Sequence, residues 1–302
     1  MQESSFDSDG VRLHYIEYGG HGPPLVLLAG LGGTAHLYRS LAPRLTDRFR
    51  VVALTRRGHG RSDRPDDGYE IETLVADIRC FLDALEIERA AFAGHSFAGV
   101  ELPLFAIRYP DRVTAAVYLD ALHVFLEPTP DPTNDPAIAA LDMIPKRADL
   151  VSIETYLTFL KRSRPDIAAV WCEAVEADRL TDLTIVDGRP VIDGHGGVVG
   201  EKMRAGLGQH ANPAYGDVAA PALALVLGGR NNPFLPPNAP AELERTANAY
   251  YVETFLPWVQ RRTGLFREAV PDARVIELDT SNHTIFVAKE DETVEAILDF
   301  VG

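Results

Sequence analysis

The chemistry open to this chain starts at Gly94-His95-Ser96-Phe97-Ala98-Gly99. An apolar run, Ala90 to Ala93, ends in Gly94; a serine follows two residues later, then the small Ala98 and Gly99, and a helical pattern begins. A strand that turns sharply into a helix holds a serine at its apex with the hydroxyl exposed, the layout of a nucleophile elbow. Flanking residues must be small there, because bulk would strike the neighbouring strand and helix. Ala98 stands where Gly-x-Ser-x-Gly has its second glycine, a departure of one methyl group. The competing reading is an ordinary strand-to-helix turn whose serine caps the helix. The elements around Ser96 decide between the two.

Leu25-Val26-Leu27-Leu28 is a continuous apolar run, the mark of a strand covered on both faces. It empties into Ala29-Gly30-Leu31-Gly32-Gly33-Thr34, which lacks the Lys-Ser/Thr of a P-loop; the spacing of its glycines also fails Gly-x-Gly-x-x-Gly. An oxyanion loop fits better, with a backbone N–H near Leu31 aimed at developing negative charge. A helix is expected over 36–45, a buried strand over 50–54 and an amphipathic helix over 71–85. The basic turn Thr55-Arg56-Arg57-Gly58-His59-Gly60-Arg61-Ser62-Asp63 resembles a phosphate or carboxylate site, but it reads better as a structural loop whose arginines satisfy carbonyls and nearby acids. The elbow helix should run to about Tyr109, ahead of Pro110, and residues 113–119 form another buried strand closed by Asp120. Before all of this, residues 11–18 alternate as a half-exposed strand, and Asp9-Gly10 suits a hairpin turn.

This alternation of strands and helices predicts an α/β fold: a mainly parallel twisted sheet flanked by helices. Active groups collect beyond the carboxyl ends of such strands, where Leu31, Ser96 and Asp120 all sit. At Ala121 the rhythm breaks. Residues 121–217 mix proline- and acid-rich segments with helical stretches at 153–161 and 167–175, so a largely helical cap is expected after the strand ending at Asp120. Gly188, Gly194, Gly196 and Gly197 mark a turn-rich section in it. The core would then comprise 1–120 and 218–302, resuming with a buried strand at 222–227. A helical region over 241–268 bent at Pro257, a last strand at 274–278 and a closing helix over 293–301 complete it.

Composition narrows the classes. The 302 residues are 46% hydrophobic, enough for a large core, and carry a formal net charge of −15. A nucleic-acid partner is therefore not expected, nor an anionic membrane surface. Cys80 and Cys172 lie far apart without metal-type spacing. With no signal-peptide pattern and no long apolar run visible, the expected location is the cytoplasm and the expected state a monomer or homodimer.

Taken together, the glycine loop around Leu31, Arg57-Gly58-His59-Gly60-Arg61-Ser62, the elbow at Ser96 and Asn282-His283 ahead of a terminal helix resemble the α/β-hydrolase superfamily. The resemblance implies a Ser–acid–His triad in that chain order, with His283 as the base. In many members the acid follows the penultimate strand, where this chain has Asn231-Asn232. An asparagine supplies no charge to an imidazolium, so the acid is expected elsewhere. Some branches, certain lactone hydrolases among them, carry it where Asp120 stands; Asp279 and Glu127 are the rivals. Phe97 and Leu31 would supply the oxyanion N–H groups, and no metal or organic cofactor is needed. His95 and His123 are candidates to line the pocket, whereas Glu101 is expected in a solvated or cap-contacting position. A serine at the elbow argues against haloalkane dehalogenase and epoxide hydrolase chemistry, whose resembling members use a carboxylate there. The implied activity is hydrolysis of a small or medium carboxylic ester or lactone. C–C bond hydrolysis or a lyase reaction on the same triad, and a ligand-binding protein with a degraded triad, are the alternatives.

Overall fold

The computed structural model describes residues 1–122, 130–191, 195–207 and 213–302. Its strands are β1 (Gln2–Ser8), β2 (Val11–Gly19), β3 (Pro24–Leu28), β4 (Arg50–Leu54), β5 (Ala90–His95), β6 (Val113–Leu119), β7 (Thr184–Val186), β8 (Arg189–Val191), β9 (Ala222–Leu227) and β10 (Arg274–Leu278). Eight of them make one sheet in the order β1-β2-β4-β3-β5-β6-β9-β10. β2 runs antiparallel to both β1 and β4, and every other neighbouring pair is parallel.

The apolar runs have a direct cause. Leu25, Leu27, Ala91, Ala93, Val117, Leu223 and Leu225 belong to one core, while Val26, Phe92, Ala116, Tyr118, Ala224 and Val226 belong to another. Successive side chains of a strand point to opposite faces, so a strand covered on both sides has no position to spare for a polar residue. The opening hairpin turns at Asp9 and Gly10, both in the left-handed region with φ of 51° and 82°, as a two-residue turn between twisted strands requires.

Three helices depart from expectation. Residues 36–45 form two short 3₁₀ turns, Ala35–Tyr38 and Ala42–Leu45, because the ring of Pro43 cannot sit inside a continuous helix. The stretch 167–175 is divided between Pro165–Ala168 and Glu173–Thr181, with Cys172 extended between them. Its apolar spacing reflects packing of Ile167, Val170, Trp171 and Val175 on the core rather than a single helix. The region 241–268 is helical over Ala241–Tyr250 and Leu256–Ala269, joined by a π turn at Tyr251–Phe255. Pro257 has no N–H for the carbonyl of Glu253, and the widened turn takes up the missing bond.

Between β6 and β9 the described residues form five helices, from Pro136–Ala139 to His195–Ala205, together with the β7–β8 hairpin. This segment is tied to the carboxyl ends of the strands. Thr34 N and Oγ1 donate to Asp178 Oδ1 at 2.7 and 2.8 Å, and Gly60 N donates to Asp182 Oδ1 at 2.7 Å. Among the described residues no helix is long and apolar enough to cross a membrane.

Candidate active site

β5 delivers Ser96 to the carboxyl end of the sheet, and the chain turns there in a strained conformation. Ser96 has a φ of 50°, a left-handed value that costs an ordinary residue about 1–3 kcal/mol. The neighbours permit it by being small. A Cβ on Gly99 would lie 1.7 Å from the carbonyl oxygen of Ala121, and one on Gly94 3.0 Å from the methyl of Ala98. At the end of the next strand, adjacent to β5 in the sheet, Asp120 leaves β6 in the same way, with a φ of 42° and its N–H on the carbonyl of Leu225 at 2.9 Å.

His283 arrives from the loop after β10. Its Nε2 lies 2.8 Å from Ser96 Oγ, and its Nδ1 lies 2.6 Å from Asp120 Oδ2. With the proton on Nδ1 donated to the carboxylate, Nε2 faces the serine hydroxyl as an acceptor, which is the protonation a general base needs. Burial pushes the Asp120 carboxyl up, but the His283 hydrogen bond and charge, followed by Arg262, outweigh it and hold the group below the usual carboxylate range. The loop itself is fixed by Asn282, whose Nδ2 donates to the carbonyl of Asp166 at 2.6 Å and whose Oδ1 accepts from Thr284 N at 2.9 Å.

His95 does not line the pocket. It is buried below the elbow, its Nε2–H donating to the carbonyl of His283 at 2.8 Å and its ring 4.7 Å from that of His283. Successive positions of a strand face opposite sides, so the residue before Ser96 turns into the packed layer, where it holds the backbone and ring of His283. Asp279 is exposed, and the imidazole meets Asp120. Asn231 is exposed as well, whereas Asn232 is buried and donates through Nδ2 to both oxygens of Asp135 at 2.9 and 2.8 Å. Asn232 thus anchors the segment between β6 and β9. His123 and Glu127 lie outside the described residues.

A cavity of about 430 Å³ opens above these groups. Leu31 and Phe97 line it beside Ser96 and His283, and Phe234, Tyr251, Phe255 and Trp258 form an aromatic wall. Behind Leu31, Arg56 donates to the carbonyls of Ala29 and Gly30 at 2.8 and 3.2 Å and pairs with Glu101. Glu101 is only 2% exposed, which corrects the solvated position expected for it: its face of the helix Ala98–Arg108 meets the buried guanidinium. Arg57 likewise pairs with Asp77 through two bonds of 2.7 Å, so the basic turn is structural. Sequence reading missed Arg262, a buried residue of the helix Leu256–Ala269. Its guanidinium lies 3.7 Å over the Trp258 ring, and Nη2 lies 3.7 Å from Asp120 Oδ1. The four-residue spacing from Trp258 to Arg262, one helical turn, was the available signal.

His59 fixes the glycine loop from the other side, accepting from Gly32 N at 2.9 Å through Nε2 and donating from Nδ1 to the carbonyl of Arg57 at 3.0 Å. Burial, then the charge of Arg56, brings its pKa down to about 4. Between that value and about 6.5 the unfolded chain binds a proton that the folded one refuses, so this group removes stability as pH falls through that window, about 3 kcal/mol in all, with no further loss below it. In urea titrations at pH 7 and pH 4.5, His59→Gln should show a smaller loss of stability on acidification than the parent. Equal losses in the two proteins would refute the assignment.

Among the described residues, Glu3, His14 and His36 are the one group with the spacing of metal ligands. Arg39, at 3.2 Å, and Arg61 already engage the Glu3 carboxylate, so cationic side chains take the place a metal ion would need. The adjoining hollow, about 570 Å³, is larger than the cavity at Ser96 but more open, and is lined by no residue of the Ser96 cavity.

The family description "alpha/beta hydrolase fold" matches residues 23–258. The 2-(acetamidomethylene)succinate hydrolase of Mesorhizobium japonicum is 26% identical over 292 residues, which cover 93% of this chain and 89% of that protein. A crystal structure of E-2-(acetamidomethylene)succinate hydrolase superposes with a TM-score of 0.71 at 23% identity, covering 99% of this chain and 98% of the other. The enol-lactonase from Burkholderia xenovorans LB400 superposes with a TM-score of 0.63 at 21% identity, covering 99% of each. Curated relatives of 34–43% identity, epoxide hydrolases and a haloperoxidase, are spanned for only 22–41% of their length.

Proposed function

The chain belongs to the α/β-hydrolase family, and from that premise we propose that it is a serine hydrolase that cleaves a small or medium carboxylic ester or lactone through an acyl-enzyme. The observation that carries this reading is the line Ser96 Oγ–His283 Nε2 and His283 Nδ1–Asp120 Oδ2, at 2.8 and 2.6 Å, facing a cavity large enough for such a substrate. His283 takes the serine proton as Oγ attacks the carbonyl carbon. Asp120 stabilises the imidazolium that results and keeps its ring in place. The N–H groups of Leu31 and Phe97 hold the oxyanion, each worth about 3–4 kcal/mol in the transition state. The imidazolium then protonates the leaving oxygen. Water enters, His283 removes its proton, and the acyl group departs as the acid. The segment between β6 and β9 serves as the cap that excludes bulk water and shapes the pocket.

An enol-lactonase is among the proteins that share the fold, and a hydrolase of an acylamino dicarboxylate is among the relatives spanned nearly end to end. Both names agree with nucleophilic attack on a carbonyl. The test pairs activity with labelling. 4-Nitrophenyl esters should be turned over, a fluorophosphonate probe should label Ser96, and Ser96→Ala should abolish both. Turnover that survives in Ser96→Ala, or a wild-type protein that neither hydrolyses nor labels, would falsify the reading.

A further inference from the structure

We propose that Arg262 is an anion-recognising residue of the cavity, so that the substrate carries a carboxylate near the bond that is cleaved. The inference rests on the hydrolase reading and narrows its substrate class.

Arg262 is 7% exposed, lines the same cavity as Ser96 and His283, and has five N–H donors. Among the described residues none of these donors meets an acceptor at hydrogen-bond distance, and Nε is fully buried without a partner. Its nearest anion, Asp120 Oδ1, lies 3.7 Å from Nη2, beyond the 2.7–3.2 Å of an N–H···O bond. An arginine whose task was to orient Asp120 would donate to it. Here the guanidinium lies on the face of Trp258 with its fork unfilled. Leaving buried donors unmade is costly, and a carboxylate satisfies two of them at once in a planar match.

The other charges of the cavity do not compete for that place. Arg164 is filled by Asp166, with bonds of 3.0 and 2.7 Å, and Asp135 is held by Asn232. Arg204 is exposed. Arg262 is thus the buried cation of the described lining with an open fork, set in an aromatic wall whose low polarity strengthens its pull. On a chain of net charge −15, an anionic substrate needs such a local cation to be held. Asp120 itself shares its charge with His283 and so repels an incoming carboxylate less than a bare acid would.

The test compares mono-4-nitrophenyl glutarate with 4-nitrophenyl butyrate, which share a leaving group and differ mainly in the terminal carboxylate. Wild type should favour the glutarate ester in kcat/KM by at least about tenfold, and Arg262→Gln should lower that preference by about 10–100-fold, the range for a lost hydrogen bond to a charged group. Arg262→Lys should recover part of it. A wild type without the preference, or an Arg262→Gln protein in which both esters fall by one factor, overturns the proposal; in the latter case Arg262 serves Asp120 alone. Binding is read separately by calorimetry of glutarate on the Ser96→Ala protein, where turnover plays no part. Glutarate should bind there and glutaramide should not, and equal binding or none overturns the proposal even if the variants of Arg262 fail to fold. A Ser96 that does not label with fluorophosphonate counts against the hydrolase reading instead, and leaves the glutarate measurement to decide on Arg262.

Discussion

Asp120→Asn should lower kcat on a 4-nitrophenyl ester by about 10⁴-fold while the protein stays folded, the size of the loss when the equivalent aspartate of the chymotrypsin triad is replaced. The reason is in the contact of 2.6 Å to His283 Nδ1. An amide in that place can turn its NH₂ toward the ring, which moves the imidazole proton to Nε2 and leaves Ser96 facing a donor instead of a base. The amide also brings no charge to the imidazolium. Asp279→Asn is the matched control, because that carboxylate is exposed and the ring's Nδ1 meets Asp120 instead, and its turnover should remain within about twofold. Single-turnover kinetics on both variants, with circular dichroism to verify folding, give the answer. If Asp120→Asn keeps more than a tenth of the parent rate, the acid has been misassigned.

Glu101→Gln should also have a large effect, and it should act on stability and turnover together. Glu101 and Arg56 are 2% and 7% exposed, and removing one charge of such a pair strands the other, at a cost of about 3–5 kcal/mol. Arg56 also holds the carbonyls of Ala29 and Gly30, so a shifted guanidinium moves the loop that carries the Leu31 N–H. A displacement near 1 Å costs up to about 10²-fold in rate, and a fall of about 10–100-fold in kcat is expected with little change in KM. Asp77→Asn separates the two effects. It breaks the Arg57 pair, which is equally buried but holds neither carbonyl of the glycine loop. Urea unfolding should show a comparable loss for both variants, and only Glu101→Gln should slow the reaction. Matching rates in the two would mean that Arg56 has no part in placing the loop.

Ser96, Asp120 and His283, which the fold brings into contact, were legible because each follows a strand whose pattern is local. Runs such as Leu25–Leu28 and Ala90–Ala93 are apolar throughout since both faces are covered, and the residue after such a run in a parallel sheet falls at the carboxyl edge. Asparagines stand at 231 and 232, where many α/β hydrolases carry the acid, and it is the resemblance to branches that carry it elsewhere that made Asp120 the expected acid. The helix expected at 36–45 is broken for a reason also local, the ring of Pro43. The places of His95 and Glu101 could not be read in this way, because side-chain direction at the end of a strand and the partner across a helix are set by other elements.

Sequence alone therefore determined the alternation of strands and helices, the sharp turn at Ser96 and the set of groups able to meet there, since these follow from side-chain size, polarity and period along a few adjacent residues. Only the folded chain decided that Arg56 closes on Glu101, that His95 turns inward and that Arg262 comes within 3.7 Å of Asp120. Those contacts join residues 45, 188 and 142 positions apart, and the energy that selects them arises from packing and from the removal of charges from water, neither of which leaves a periodic mark on the chain.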